Sequence, residues 1–488
     1  MKKLVLITTF FSVTMSLTAQ KSGQIPQPTN ASEVQVPIPG APLSEAYVKA
    51  VGKMAYIWGW PLVNMHNREA QIGGTAPFRG YLGGVLPIAP SNQNTMLHYY
   101  LAPEQRFVTS PNQDVVYGLG FLNFKKDPAV IIQIPDFGDR FWVYQIVDHR
   151  TNSFATVGSM YNTKPGFYML VGPDWSGEKP AGVEAVFKSS TNIGAIFPRV
   201  FMDDTEQDEK DIQKLINQIV QYPLSEYTGD MKTIDWSQTK SIPDPNAGSK
   251  EETAWVVPEK FFEQLPVIME EVPALPGEEA MYAWIHQILD AAKENPKLQE
   301  ALTEVALETE TEVIKPMFEF RNNGVEAGNG WRTQKNAAEF GFGYFQRTAT
   351  AKGNMFSNIP FETMYFGNDF DANGDRITGG NKYELTFKKG EIPPVKGFWS
   401  LTLYNEQHFF HPNDIERYSL GTKNKNLIYN EDGSLTIYVQ PTAPSGNLVN
   451  NWLPSPSKGV YSLYIRAYGP KDQIINGTWT PPQIKKVK

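Results

Sequence analysis

Residues 459–470 read GVYSLYIRAYGP, and eight of them alternate strictly. Tyr461, Leu463, Ile465 and Ala467 stand on one side, Ser462, Tyr464, Arg466 and Tyr468 on the other. A period of two sends these sets to opposite faces of a strand, so the pattern suits a half-buried strand of a β-sandwich. The same texture recurs upstream in KYELTFKKG (382–390), KGFWSLTLYN (396–405) and GSLTIYVQP (433–441). Residues 351–488 therefore read as a C-terminal β-sandwich domain.

The period changes on moving back along the chain. PEKFFEQLPVIMEEV (258–272), GEEAMYAWIHQILDAAKEN (277–295) and PKLQEALTEVALETETEVIKPMFEF (296–320) carry apolar residues at helical spacing, which makes 257–350 a helical region. Residues 226–256 are polar and punctuated by Pro and Gly, and read as a linker. Short apolar runs return between about 129 and 200, in AVIIQIP, RFWVYQIV, SFATVGSM, GFYMLVGP and NIGAIFPRV. They predict an antiparallel sheet or barrel within a domain spanning 43–225. A helix follows from Glu206 to about Gln221, with Ile212, Leu215, Ile216 and Ile219 on one face. Near the start of this domain Ser44 caps a helix carrying Tyr47, Val51, Met54, Ala55 and Trp58, and Pro61 is expected to kink or end it. The fold class is α+β.

With 488 residues the chain exceeds one ordinary core. Its composition, 41% hydrophobic and 20% charged, is that of a globular protein. The net charge of −8 lacks the basic footprint of a nucleic-acid partner. MKKLVLITTFFSVTMSLTAQ begins with two lysines, continues with an apolar stretch and ends in small residues. Residues 1–19 thus read as a secretory signal, cleaved after Ala19, and 20–42 as a loose leader. That predicts an exported protein, periplasmic or extracellular, with no spanning segment in the mature chain. The chain has no cysteine, so neither a disulfide nor a thiol nucleophile is available.

SPNQDVVYGLGFLNF (110–124), IPDFGDRFWVYQIVDHRTNSF (134–154) and FPRVFMDD (197–204) resemble the bacterial family called domain of unknown function 1254. GFWSLTLYNEQHFFHPNDIERYSLGTKNKNLIYNEDGSLTIYVQ (397–440), NWLPSP and YSLYIRAYGPKDQIINGTWTPPQI resemble its usual partner, domain of unknown function 1214. The resemblance implies an exported two-part protein whose C-terminal region is jelly-roll-like. It implies no activity, so chemistry rests on residues.

The first candidate site is the polar set Asn112, Asp114, Arg140, Asp148, His149, Arg150 and Asn152. If the strand from Val115 pairs with that from Phe141, the head of one and the tail of the other meet at one sheet end. Asp114, Asp148 and His149 would then supply acid–base groups, with Arg140 or Arg199 holding an anionic group, or the carboxylates and Asn112 would hold a hard cation. The competing reading is an Asx turn at Asn112 and Asp114 and a structural bridge from Asp148 to an arginine. A second candidate is YNEQHFFHPND (404–414), where His408 and His411 could ligate a divalent metal, although their spacing fits no standard zinc motif. Asp371, Asn373 and Asp375 imitate the start of a calcium loop but lack its closing glutamate, and read as a turn. Asn451 and Trp452 form a pair expected to face outward onto a ligand. Two functions follow: a hydrolase or lyase acting on a small organic or saccharide substrate, or a non-catalytic glycan or small-ligand binding protein of the envelope. An envelope structural protein is a third, weaker reading.

Overall fold

The computed structural model describes residues 33–34 and 42–487. The secretory signal at 1–19 and nearly all of the leader at 20–42 lie outside the described residues. The chain is mixed α+β, with several mainly antiparallel sheets and a helical layer, and none of the sheets among the described residues closes into a barrel.

Helix α1, Glu45–Arg68, starts where Ser44 Oγ accepts the Tyr47 amide at 3.2 Å. It does not end at Pro61. A proline in mid-helix leaves the carbonyl four residues earlier without its donor, here that of Ile57. The Thr348 hydroxyl, 291 residues away, donates to Ile57 O at 2.6 Å and fills the gap. The donor sits on α6 (Tyr344–Asn354), which together with α3 (Phe261–Glu271), α4 (Glu279–Glu294) and α5 (Pro296–Thr309) packs around α1. The N-terminal helix is therefore the spine of the helical region rather than an appendage of the first β domain. Helix α2, Glu206–Ile216, is capped by Thr205 and is shorter than its apolar period suggests. Beyond it the chain turns and adds 221–223 to a strand formed by Ala129–Ile134.

In the first β domain the strands Asn94–Tyr100, Val115–Asn123, Ile193–Phe201, Trp142–Asp148 and Val157–Gly158 lie side by side in that order, all antiparallel. A second sheet carries 221–223, 129–134, 166–171 and 183–188. The stretch 226–256 is not a free linker. Trp236 is fully buried with its indole N–H on Ile216 O, and Ser241–Ile242 pairs with 80–82. Its longest continuously exposed run is 245–251.

The C-terminal domain stacks a six-stranded antiparallel sheet, in which Tyr461–Tyr468 lies between Thr363–Asn368 and Trp399–Asn405, on a four-stranded one. Leu401, Leu463 and Ile465 of the first meet Leu385, Ile437 and Val439 of the second in one core. The strand 461–468 is not half-buried, because all eight residues are covered. The first β domain packs on the face that bears Tyr464, Arg466 and Tyr468, so a polar side of a sandwich has become an internal contact.

Candidate functional site

The stretch Asn112–Asp114 is both a turn and a docking surface. Asn112 Oδ1 accepts the Asp114 amide at 2.8 Å, closing an Asx turn, while Asn112 Nδ2 donates to the Tyr468 hydroxyl at 3.1 Å. Gln113 donates to Glu416 O and accepts the Tyr418 amide. Asp114 accepts from Ser419 Oγ at 2.9 Å and lies 3.7 Å from the ammonium of buried Lys423. Burial pushes the Lys423 pKa down. All these partners belong to the C-terminal sandwich.

Topology keeps Asp114 away from Asp148 and His149. The strands that carry them do not pair; both pair with 193–201 and so run parallel to each other. Val115 sits opposite Phe201 and Asp148 opposite Gly194, seven residues apart, or roughly 23 Å at about 3.3 Å per residue. Asp148 is spent on Ser190 Oγ and the Asn152 amide, and burial raises its pKa. His149 is fully buried, bonded through Nε2 to Leu62 O at 2.9 Å, and its pKa is pushed down to about 4 by burial. Arg140 makes a fork with Asp208 and donates to Phe201 O at 2.8 Å, so its charge is already paired with a carboxylate.

The remaining sequence candidates are also structural. His408 is buried between the rings of Phe318 and Phe320, at 4.0 and 4.5 Å, and burial lowers its pKa to about 4. His411 is partly exposed, and among the described residues no group of three His, Asp or Glu is placed to hold a metal ion. Asn451 does not face outward. It is 2% exposed, accepts the Ile428 amide and donates to Ile428 O and Thr436 O. Trp452 is half-buried, its indole N–H bound to Gln440 O. Asp371 accepts the Asn373 and Asp375 amides, as a turn requires.

Arg199 is different. It points from the 193–201 strand toward a cavity of about 90 Å³ between the first β domain and the end of α6. Leu119, Phe197, Met355 and Phe356 give the cavity apolar walls, and Tyr117 and Arg199 are among its polar lining. Arg199 donates to Gln145 Oε1 at 2.8 Å and to Phe356 O at 2.6 Å, but its buried Nε–H has no acceptor. Its guanidinium lies 5.5 Å from the Tyr117 ring centre. Behind the wall, Arg466 donates to Thr402 Oγ1, Ser110 O and the Tyr404 hydroxyl. Among the described residues neither guanidinium pairs directly with a carboxylate, and burial pushes the hydroxyls of Tyr365, Tyr404, Tyr464 and Tyr468 up, which keeps them neutral. Ser110, in the cavity wall, holds a left-handed backbone at φ 51°, a strain of order 1 kcal/mol. A smaller cavity of about 30 Å³ shares Asn354 with the first and is lined by Tyr365 and Tyr464.

Close by, Glu362 accepts from the Tyr161 hydroxyl and Asn358 Nδ2, both at 2.8 Å, and burial lifts its pKa to about 7. Sequence reasoning missed Glu362, Tyr117 and Arg466. For Arg466 a signal was present: an arginine between two tyrosines on the supposed solvent face of a strand.

Residues 91–223 match the family model described as "Protein of unknown function (DUF1254)" and residues 362–472 the one described as "Protein of unknown function (DUF1214)". The chain belongs to the family that joins these two domains. The Asn112–Asp114 docking loop lies in the DUF1254 match and its partners, from Glu416 to Tyr468, lie in the DUF1214 match, so the interface joins the two matched domains. No curated protein matches the chain. Among solved structures, the VPA0106 protein of Vibrio parahaemolyticus is similar at 22% identity and a TM-score of 0.62, over 90% of this chain and 100% of that one. That likeness establishes a shared fold. An uncharacterized protein from Burkholderia cenocepacia aligns over 91% of this chain and 95% of that one, at 10% identity and a TM-score of 0.43.

Proposed function

We propose that this protein is a non-catalytic binding protein for a small, mainly apolar molecule, held in the cavity beside Arg199. The observation that carries the reading is the cavity itself: apolar walls from two parts of the chain, with a few converging polar groups, are the usual make-up of a small-ligand site. The hydrolase or lyase reading required Asp114, Asp148 and His149 to converge, and the separation of roughly 23 Å that follows from about 3.3 Å per residue removes its support. A saccharide fits poorly, since few polar side chains face the cavity to meet its hydroxyls.

The same reading takes the protein as exported on the strength of residues 1–19, and the C-terminal sandwich as a jelly-roll-like wall against which the first domain is braced. Among the described residues no helix is long and apolar enough to cross a membrane. The test is to extract purified protein with organic solvent and compare the small molecules released with those from Leu119→Trp, whose larger ring fills the cavity. A compound enriched in the parent and lost in a folded Leu119→Trp variant supports the reading; identical extracts sink it. Intact mass of protein from the native envelope tests export, which a species retaining residues 1–19 would refute.

A further inference from the structure

Resting on that reading, we infer that the molecule held there is a monoanion, a carboxylic acid with a short apolar body, whose carboxylate meets Arg199. The cavity is lined by one charged side chain, Arg199, which is 5% exposed. A guanidinium stays protonated at any physiological pH. Among the described residues it has no ion-pair partner, and the carboxyl that feels its charge, Glu362, has its pKa lifted to about 7 by burial and is committed to Tyr161 and Asn358. Burying a charge unpaired is unfavourable, and a fold that keeps one against an apolar cavity gains by receiving a counter-charge there.

Charge sets the class of anion. Of the five guanidinium N–H donors of Arg199, two are used, on Gln145 Oε1 and Phe356 O, and the Nε–H is among the three that are left. Tyr117 lines the same cavity. One positive charge among apolar walls matches one carboxylate. A phosphate dianion brings more charge than the single charged side chain of this lining can neutralise. Leu86, Leu119, Phe197 and Met355 then face the rest of the ligand, which calls for a mainly alkyl or aryl body, since the Thr109 and Ser110 hydroxyls in the same lining are spent on Gly353 O and the Asn354 amide on the Tyr464 hydroxyl. Behind the wall, Arg466 lies outside the cavity lining and fixes the carbonyls of Ser110 and Pro111.

The experiment uses the full chain and matched pairs of probes: butanoate, hexanoate and octanoate, each against the alcohol of the same length. Affinities are read by ligand-observed NMR and calorimetry for the parent, Arg199→Gln, Arg199→Lys and Leu119→Trp. The expected result is saturable binding of at least one carboxylate, at least tenfold tighter than its alcohol. Arg199→Gln should erase that preference without weakening the alcohol, and Leu119→Trp should abolish both. Arg199→Lys keeps the charge, so it remains informative should Arg199→Gln fail to fold; it should keep part of the preference. Equal binding of acid and alcohol, blocked by Leu119→Trp, would leave a ligand cavity but overturn the carboxylate. Binding of neither series would overturn the ligand cavity itself.

Discussion

Asp114 shows how much one side chain carries here. It is 1% exposed and is the ion-pair partner of a buried lysine across the interface between two domains. Asp114→Asn leaves Lys423 charged in a place without water. The expected loss is about 3–5 kcal/mol, typical of breaking a buried pair from one side, seen as a lower melting temperature. Adding Lys423→Met should recover much of it, and a double variant no better than the single would argue against the pair. Glu362 makes a prediction in pH. Burial raises its pKa from the ordinary 4.5 to about 7, so the folded state holds this proton more tightly than the unfolded one. The stabilisation from this group is complete below about pH 4.5 and is lost as the pH rises through 7, a change of about 3 kcal/mol. Urea unfolding between pH 5 and 8 should show Glu362→Gln falling less steeply than the parent and exceeding it at pH 8; parallel curves would dismiss the effect. That Asn112 and Asp114 were special was legible, since such groups do not head a core strand idly. What they bind was not, because Tyr468, Ser419 and Lys423 lie more than 300 residues away.

Strand positions were the most readable part of the elements. AVIIQIP and GFYMLVGP became Ala129–Ile134 and Gly166–Val171 with little change, because alternation and turn residues act locally. Pro61 was misleading for the opposite reason: whether a proline ends a helix depends on who satisfies the freed carbonyl, and that partner is on α6. Thr348→Val, which keeps the shape and removes the hydroxyl, should cost about 1–3 kcal/mol by leaving Ile57 O unpaired. In a Pro61→Ala background residue 61 can donate to Ile57 O itself, so the same change should cost clearly less there. A double-mutant cycle by chemical denaturation measures this coupling, and additive losses would show that the hydroxyl does not replace the missing amide. The strand 461–468 teaches a related lesson. Its alternation gave the correct faces, yet a face with tyrosines and an arginine looks the same whether it meets water or another domain.

The whole molecule should behave as one cooperative unit. The interface between the domains is built from buried groups such as Asp114, Lys423, Arg466 and Tyr468, and neither side can shed the other without exposing them. Unfolding followed by tryptophan fluorescence and by circular dichroism should give coincident single transitions; two separated transitions would contradict the buried interface. Limited proteolysis of the 226–256 stretch should cut first within 245–251, its longest exposed run, and a first cut elsewhere in that stretch would refute that assignment. The β texture on either side of a helical stretch was readable from the sequence alone, and Arg199 was weighed beside Arg140 as a holder of an anionic group. The cavity it serves was not, because its walls come from residues as far apart as Leu86 and Phe356.

The contact of Arg466 with Ser110 joins residues 356 positions apart in the chain. Proteins are made from the N-terminus at about 5–20 residues per second, so synthesis supplies the second partner roughly 20 to 70 s after the first. Through that interval the loop 110–114 has no tyrosine face to meet, whether the chain is emerging from a ribosome or from an export pore. The first domain can assemble its sheets early but must wait for nearly the last strand before its polar loop is closed. A nascent chain of this protein therefore has a built-in period of vulnerability, which ends only when residues 461–468 arrive.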